Sequence, residues 1–351
     1  MRVIRYVWNM SAGIFASAVL CAALFLFLSC SDDDRKVIVC WGDSLTSPGY
    51  KNNFKGHVKH FFQGNKKYPE FFQDLLGDDF EVVNAGVGGE NTLTIMARQG
   101  AYPMRLAHDV VVFRSGKKAY KTFVGNNDVP AFVSSYNGKK VAPLLQNGWD
   151  DASSAQISPC KIGDEEYELS SESTFWKETE GFLYEYNYYI ERVEAIDRND
   201  TLKAGTEVVT YAMQHLRNCY ANIFFMGQNG GFSDVADLIR QLKAMIRYSG
   251  SDRFVVVSFH KPNKVIKTIS RMKEMEDSLH AAFGEHYLNL RDSMLTNGLE
   301  YADLKPSDED TDSIKVGQVP PQLLLPDGIH FKTEAYEVIA NLIYRRFTAL
   351  Y

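Results

Sequence analysis

Four short blocks of the chain carry residue types that can do chemistry. The first, Gly42-Asp43-Ser44-Leu45, follows a short Val and Ile run. A serine at such a turn can expose its hydroxyl and keep its own N–H free for an anion, at the carboxyl end of a strand, where α/β sheets put ligand groups. The same four residues also read as a turn with a helix N-cap. The second block is Asn84-Ala85-Gly86-Val87-Gly88-Gly89-Glu90-Asn91-Thr92. Its glycines permit a tight turn that offers N–H groups to an oxyanion or a phosphate. A dinucleotide loop of the G-x-G-x-x-G type would need glycine where Asn91 stands, which weakens the nucleotide reading. The third, Gly227-Gln228-Asn229-Gly230, closes another apolar run. An Asn-Gly hairpin turn is one reading, but the segment that follows has helical spacing, so a strand-to-helix loop fits better. The fourth is Asp327-Gly328-Ile329-His330. Three residues apart in one turn, the carboxylate can accept from the imidazole Nδ1–H and fix the tautomer that leaves Nε2 as a base.

In this order the blocks read G-D-S-L, N-x-x-x-x-G-E-x-T, G-x-N and D-x-x-H, and together they resemble the SGNH/GDSL hydrolase superfamily. The resemblance covers Lys36 to Gly100 and Ala221 to Tyr351. It implies a three-layer α/β sandwich around a mostly parallel five-stranded, flavodoxin-like sheet. It also implies Ser44 as nucleophile, His330 as base and Asp327 as the partner that orients it. The oxyanion hole would be the Ser44 and Gly89 N–H groups with the Asn229 side chain, and neither a metal nor a cofactor is implied. Gly230 departs from the pattern, since many members have Asp there. The larger departure is a long insertion without a counterpart in the compact members. The activity implied is hydrolysis of an acyl ester through an acyl-serine, and acetyl groups on carbohydrate are the first expectation. Lipid acyl esters stay open, as does a non-catalytic glycan-binding surface protein with a vestigial site.

Other constellations carry less. His57 and His60 could share a helix face, but no third ligand is near in sequence, and a solvated face is the simpler reading. Asp308, Asp310 and Asp312 begin like a calcium loop, yet Ser313 stands at the required Gly and Val319 at the required Glu, so a solvated loop is expected. No G-x-S-x-G elbow offers a rival serine.

The elements that must position these blocks follow from periodicity. Val and Ile runs predict strands at Lys36–Cys40, Phe80–Asn84, Asn222–Met226, Arg253–Phe259 and His286–Leu290. Spacings of three and four predict helices at Pro69–Leu76, Ser233–Tyr248, Lys267–Phe283 and Thr333–Phe347. Their alternation argues for a parallel sheet covered on both faces. From Phe113 to Tyr220 helical periodicity fades. Asn137-Gly138 signals a hairpin, and Phe182, Tyr184, Tyr186, Tyr188 and Ile190 alternate with mostly polar partners. The organisation expected is a hydrolase domain at 36–112 and 221–351, with a β-rich insertion at 113–220.

Composition and the leader set the partners. Of 351 residues 45% are apolar, and 38 basic side chains face 44 acidic ones for a net charge of −6. That balance disfavours a nucleic-acid partner, which calls for an excess of Lys and Arg. Arg2 and Arg5 precede an uncharged stretch, Tyr6 to Ser29, long enough for a signal peptide or an anchor. It closes as Leu26-Phe27-Leu28-Ser29-Cys30, which resembles a bacterial lipobox, and Ser31-Asp32-Asp33-Asp34 follows. The expectation is a signal peptide at 1–29, a lipidated Cys30, an acidic linker at 30–35 and a body tethered outside the inner membrane, at the outer membrane or cell surface; an uncleaved anchor is the alternative. Beyond Cys21 and Cys30, the scattered Cys40, Cys160 and Cys219 make no disulfide framework or C-x-x-C pair.

Overall fold

The computed structural model describes residues 35–47, 66–106, 108–113, 122–125, 134–136, 139–141, 159–178, 181–194 and 196–351. The leader with Cys21, Cys30 and the acidic run, His57, His60 and the Asn137-Gly138 turn lie outside the described residues. The Val and Ile run forms β1 (Lys36–Gly42), flanked by β2 (Phe80–Gly86) and β3 (Ala221–Phe225). Beyond β3 lie β4 (Phe254–Val257) and β5 (Tyr287–Leu288), giving one parallel sheet in the order β5-β4-β3-β1-β2. Alternate side chains of β1 enter two different cores, Val39 and Trp41 on one face, Ile38 and Cys40 on the other. Helices α2 (Thr92–Gln99), α3 (Val235–Ser249) and α4 (Ile269–Phe283) cover the first face through Met96, Leu242 and Met275. Helices α1 (Tyr68–Leu76), α5 (Leu290–Tyr301) and α7 (Thr333–Leu350) cover the second through Phe72, Met294 and Ile339. Burial on both faces is why β1, β3 and β4 are mostly apolar runs.

One segment differs from its expected form. Asp308 to Asp312 is not a solvated loop but part of helix α6 (Asp308–Lys315). Ser307 caps it by accepting the Asp310 N–H, while the Asp310 carboxylate accepts the Ser307 N–H at 2.9 Å and its hydroxyl at 2.6 Å. Three acidic residues in the first turn also suit the positive end of a helix.

Between the second and third blocks the chain builds a second, antiparallel sheet. Its strands run Met104–Arg105, Glu207–Thr210, Pro159–Ile162, Glu165–Glu178, Gly181–Arg192 and Thr122–Gly125 from edge to edge. Val110–Val112 pairs with Asp200–Leu202, and Ser134–Tyr136 with Lys139–Val141. The base of this sheet is rooted on α2: Ile162, Tyr167 and Val208 share a core with Met96, and the Thr210 hydroxyl donates to the Arg98 carbonyl at 2.6 Å. Cys40, Cys160 and Cys219 are free thiols.

Candidate active site

β1 delivers Ser44 through a turn that permits only glycine at its start. A Cβ on Gly42 would collide with the Thr46 hydroxyl and the Phe225 carbonyl oxygen. Asp43 then organises the turn with both of its acceptors. Its carboxylate takes the Leu45 N–H at 2.9 Å, and its carbonyl takes the N–H groups of Thr46 and Ser47 at 3.0 and 2.9 Å. Ser44 is left at the crest with no partner for its own N–H among the described residues.

The Asp327–His330 loop meets it from the other end of the chain. His330 Nε2 lies 2.8 Å from Ser44 Oγ, and His330 Nδ1 lies 2.5 Å from Asp327 Oδ2. The second oxygen of Asp327 accepts the N–H groups of Ile329 and His330 at 2.8 and 3.0 Å, which fixes the carboxylate relative to the ring it serves. The structure thus brings together Ser44, Asp327 and His330, from opposite ends of the sequence.

The loop after β2 lies alongside. Val87 donates to the Gly42 carbonyl at 3.1 Å, and Gly89 is in the left-handed region at φ +80°, with its N–H unpartnered among the described residues. A buried ion pair holds this loop: Arg98 grips Glu90 through Nε and Nη2 at 2.8 to 3.1 Å and also donates to the Ala85 carbonyl at 2.7 Å. Asn229 Nδ2 donates to the Glu90 carbonyl at 2.9 Å, and Thr92 N–H donates to the Gly230 carbonyl at 3.0 Å. Gly89 and Asn229 are both exposed, on loops that these bonds hold side by side. One amide hydrogen of Asn229 is used in this tie and the other is available.

The electrostatics favour a working base. Burial pushes the His330 imidazole below its usual value, against the opposing pull of Asp327, so the ring is neutral near pH 7. Burial would raise Asp327, but hydrogen bonds from the His330 ring and two backbone N–H groups hold its carboxyl below the usual range. Asp43, fully buried, is pushed up to about 7 by desolvation. Lys67 donates to the Tyr336 hydroxyl at 2.9 Å and is pushed down to about 8 by burial, against the carboxylates of Glu70, Asp43 and Asp327. A neutral imidazole bonded to a serine hydroxyl can take its proton, while the carboxylate stabilises the imidazolium and free N–H groups receive an oxyanion.

Sequence reasoning assigned no role to Lys67, Arg98, Tyr336 or the carboxyl of Asp43. Asp43 had a signal, its place beside the serine; Arg98 and Tyr336 look like ordinary helix residues, and Lys67 like a residue just ahead of a helix, until the fold buries them.

A family described as GDSL-like Lipase/Acylhydrolase matches residues 38–343. No curated protein matches the chain. One solved structure covers 90% of this chain and 98% of its own at 11% identity, with a TM-score of 0.40. A carbohydrate acetylesterase from Sinorhizobium meliloti covers 90% and 100% at 10% identity, with a TM-score of 0.36. A carbohydrate acetylesterase family member from the same organism covers 88% and 96% at 12% identity, with a TM-score of 0.31.

Proposed function

The chain belongs to the GDSL-like lipase/acylhydrolase family, and from that premise we propose that it removes acyl groups, acetyl foremost, from carbohydrate through an acyl-enzyme on Ser44. The observation that carries the mechanism is the unbroken hydrogen-bonded chain from Ser44 Oγ through His330 to Asp327. Ser44 Oγ attacks the ester carbonyl carbon as its proton passes to His330 Nε2. The carbonyl oxygen becomes an oxyanion held by the Ser44 and Gly89 N–H groups and the Asn229 amide. Collapse breaks the bond to the alcohol oxygen, which leaves with the proton from His330. Water then repeats the sequence on the acyl-serine, yielding the carboxylic acid and free Ser44. Carbohydrate is favoured because Phe182, Tyr184, Tyr186 and Tyr188 supply the insertion with aromatic side chains suited to stacking on sugar rings.

Ser44→Ala in the full chain lowers kcat on an acetyl ester by about 10⁴ to 10⁶, Asp327→Asn by about 10⁴ and Asn229→Ala by about 10² to 10³. Most of the activity surviving in Ser44→Ala, or fluorophosphonate labelling of another serine, would overturn the assignment. Acyl-chain series on sugar and glycerol esters decide between carbohydrate and lipid substrates.

We further propose that the protein works outside the inner membrane, tethered through Cys30. Support comes from Leu26-Phe27-Leu28-Ser29-Cys30 and the acidic run behind it. Fatty-acid labelling in cells should disappear in Cys30→Ser; a labelled variant removes the tether.

A further inference from the structure

Between β4 and the first turns of α4 stand Lys261, Lys264, Lys267, Arg271 and Lys273, with no Asp or Glu among them. In a chain of net charge −6 such a run is a local feature, not one of composition. The fold seats it against both loops that flank Ser44. On one side the Lys261 carbonyl accepts from Gln228 Nε2 at 3.1 Å, Asn263 Nδ2 donates to the Gly227 carbonyl at 2.8 Å, and a Cβ on Gly230 would lie 3.6 Å from Val265. Gln228 and Gly230 are the neighbours of Asn229. On the other side His260, only 2% exposed, packs its ring 4.5 Å from that of Phe331, the residue after His330. The Lys261 ammonium lies over Gly328, where a Cβ would come within 2.9 Å of it, and Lys261 and Lys332 border one cavity there. Arg271 is paired with Glu274 at 2.5 Å, but the ammonium groups of Lys261, Lys264, Lys267 and Lys332 have no ion-pair partner among the described residues. Beside these four stand Glu309, which borders the same cavity, and Glu334, which follows Lys332 on α7; Asp327 is already bonded to His330.

Unmatched charge of one sign beside a reaction site draws in substrates of the other sign. The attraction reaches across about 10 Å at 0.1 M salt, so it needs no fixed contact, and it grows with the number of charges a substrate repeats. An acetyl ester by itself carries no charge for these lysines to meet. The groups that could meet them belong to whatever bears the ester. We propose that Lys261, Lys264, Lys267 and Lys332 form a cationic rim that selects acetyl esters on anionic carbohydrate, a glycan with acidic groups along its chain. The proposal rests on the reading of the protein as a carbohydrate esterase acting through Ser44, and it narrows that reading. Aromatic side chains suit any sugar ring, whereas the rim tells an acidic glycan from a neutral one.

The test measures kcat/KM of the full chain on O-acetylated tetramers of galacturonate and of galactose, which differ by a carboxylate on each sugar. At low ionic strength the wild type should favour the galacturonate tetramer by about tenfold or more, and 1 M NaCl, which shortens the reach of the charges to about 3 Å, should remove most of that preference. Lys264→Glu/Lys267→Glu should lower the galacturonate-to-galactose ratio by about tenfold, mainly through KM. Both side chains are exposed, so the fold is not at stake. Lys243→Glu/Arg247→Glu makes the same change of net charge on the exposed face of α3 and should move the ratio by less than about twofold. An equal fall there would assign the effect to the charge of the whole molecule and overturn the rim. A wild-type ratio near one, a ratio indifferent to salt, or cleavage of neither tetramer also overturns it. So does a Lys264→Glu/Lys267→Glu ratio within about twofold of the wild type, the outcome expected if the lysines serve an anionic membrane instead. Galactose-tetramer turnover that survives Ser44→Ala defeats the nucleophile assignment, whatever the lysine variants do.

Discussion

The buried ammonium of Lys67 bears on His330, the proposed base, without being part of the Ser44–His330–Asp327 chain. His330 is depressed first by its own burial, and Lys67 adds to the effect by opposing a second positive charge nearby. A general base works only while neutral, so the acid limb of kcat/KM should have its midpoint below the ordinary histidine value of about 6.5. Lys67→Met removes the opposing charge, lets His330 hold its proton to higher pH and should move that midpoint upward. A pH profile with an unmoved or lowered midpoint would contradict this account. The grouping of Ser44, Asp327 and His330, which the structure brings together, was legible in the sequence because serine-hydrolase chemistry calls for those residue types in short turns and in a fixed order. Lys67 and His260 were not, because nothing local distinguishes a buried Lys before Tyr68-Pro69, or a His behind a Val-rich run, from surface residues. Their burial is made by distant parts of the chain, Tyr336 in one case and Phe331 in the other.

α2 and the loop before it behave as one part because the Glu90–Arg98 pair locks them together. Both side chains are buried, so removing one leaves the other charge without its partner in a low-dielectric site. Arg98→Met should cost about 3 to 5 kcal/mol in urea unfolding, and kcat should fall as well, because the Gly89 N–H is carried on that loop. Loss of stability below about 1 kcal/mol would mean that the loop stands without the pair. The sheet was legible from its apolar runs, and the long helices α3, α4 and α7 from their spacing of three and four. α6 was hidden because it is made by capping rather than by an apolar stripe, and its acidic residues imitate a metal loop. Glu165–Glu178, rich in Ser and Glu, shows no alternation that would have announced a strand of 14 residues.

Two buried groups give the molecule opposite responses to acid. Asp43 is raised to about 7, so below that value the folded chain keeps a proton that the unfolded chain releases above about pH 4. Its stabilising effect is complete in acid and is lost as the pH climbs toward 7. His260 is lowered to about 3, so between that value and about 6.5 only the unfolded chain takes up the proton. Its effect is complete above about 6.5 and is lost as the pH falls. On acidification from pH 7 to 4.5 the urea midpoint of His260→Asn should therefore fall less than that of the wild type, and that of Asp43→Asn should fall more. Changes of the same sign in both variants would refute this pairing. The contact between Ser44 and His330 joins residues 286 positions apart, and the β1–β3 pairing beneath it first aligns Ile38 with Ala221 across the whole insertion. Such distant pairings close slowly, since the entropy of a long loop must be overcome before any contact rewards it. Ester turnover is thus a clock for assembly. Helical signal should return early in refolding, while hydrolysis should wait for the slowest phase, and a chain still being synthesised would hold Ser44, the proposed nucleophile, long before His330 is there to activate it.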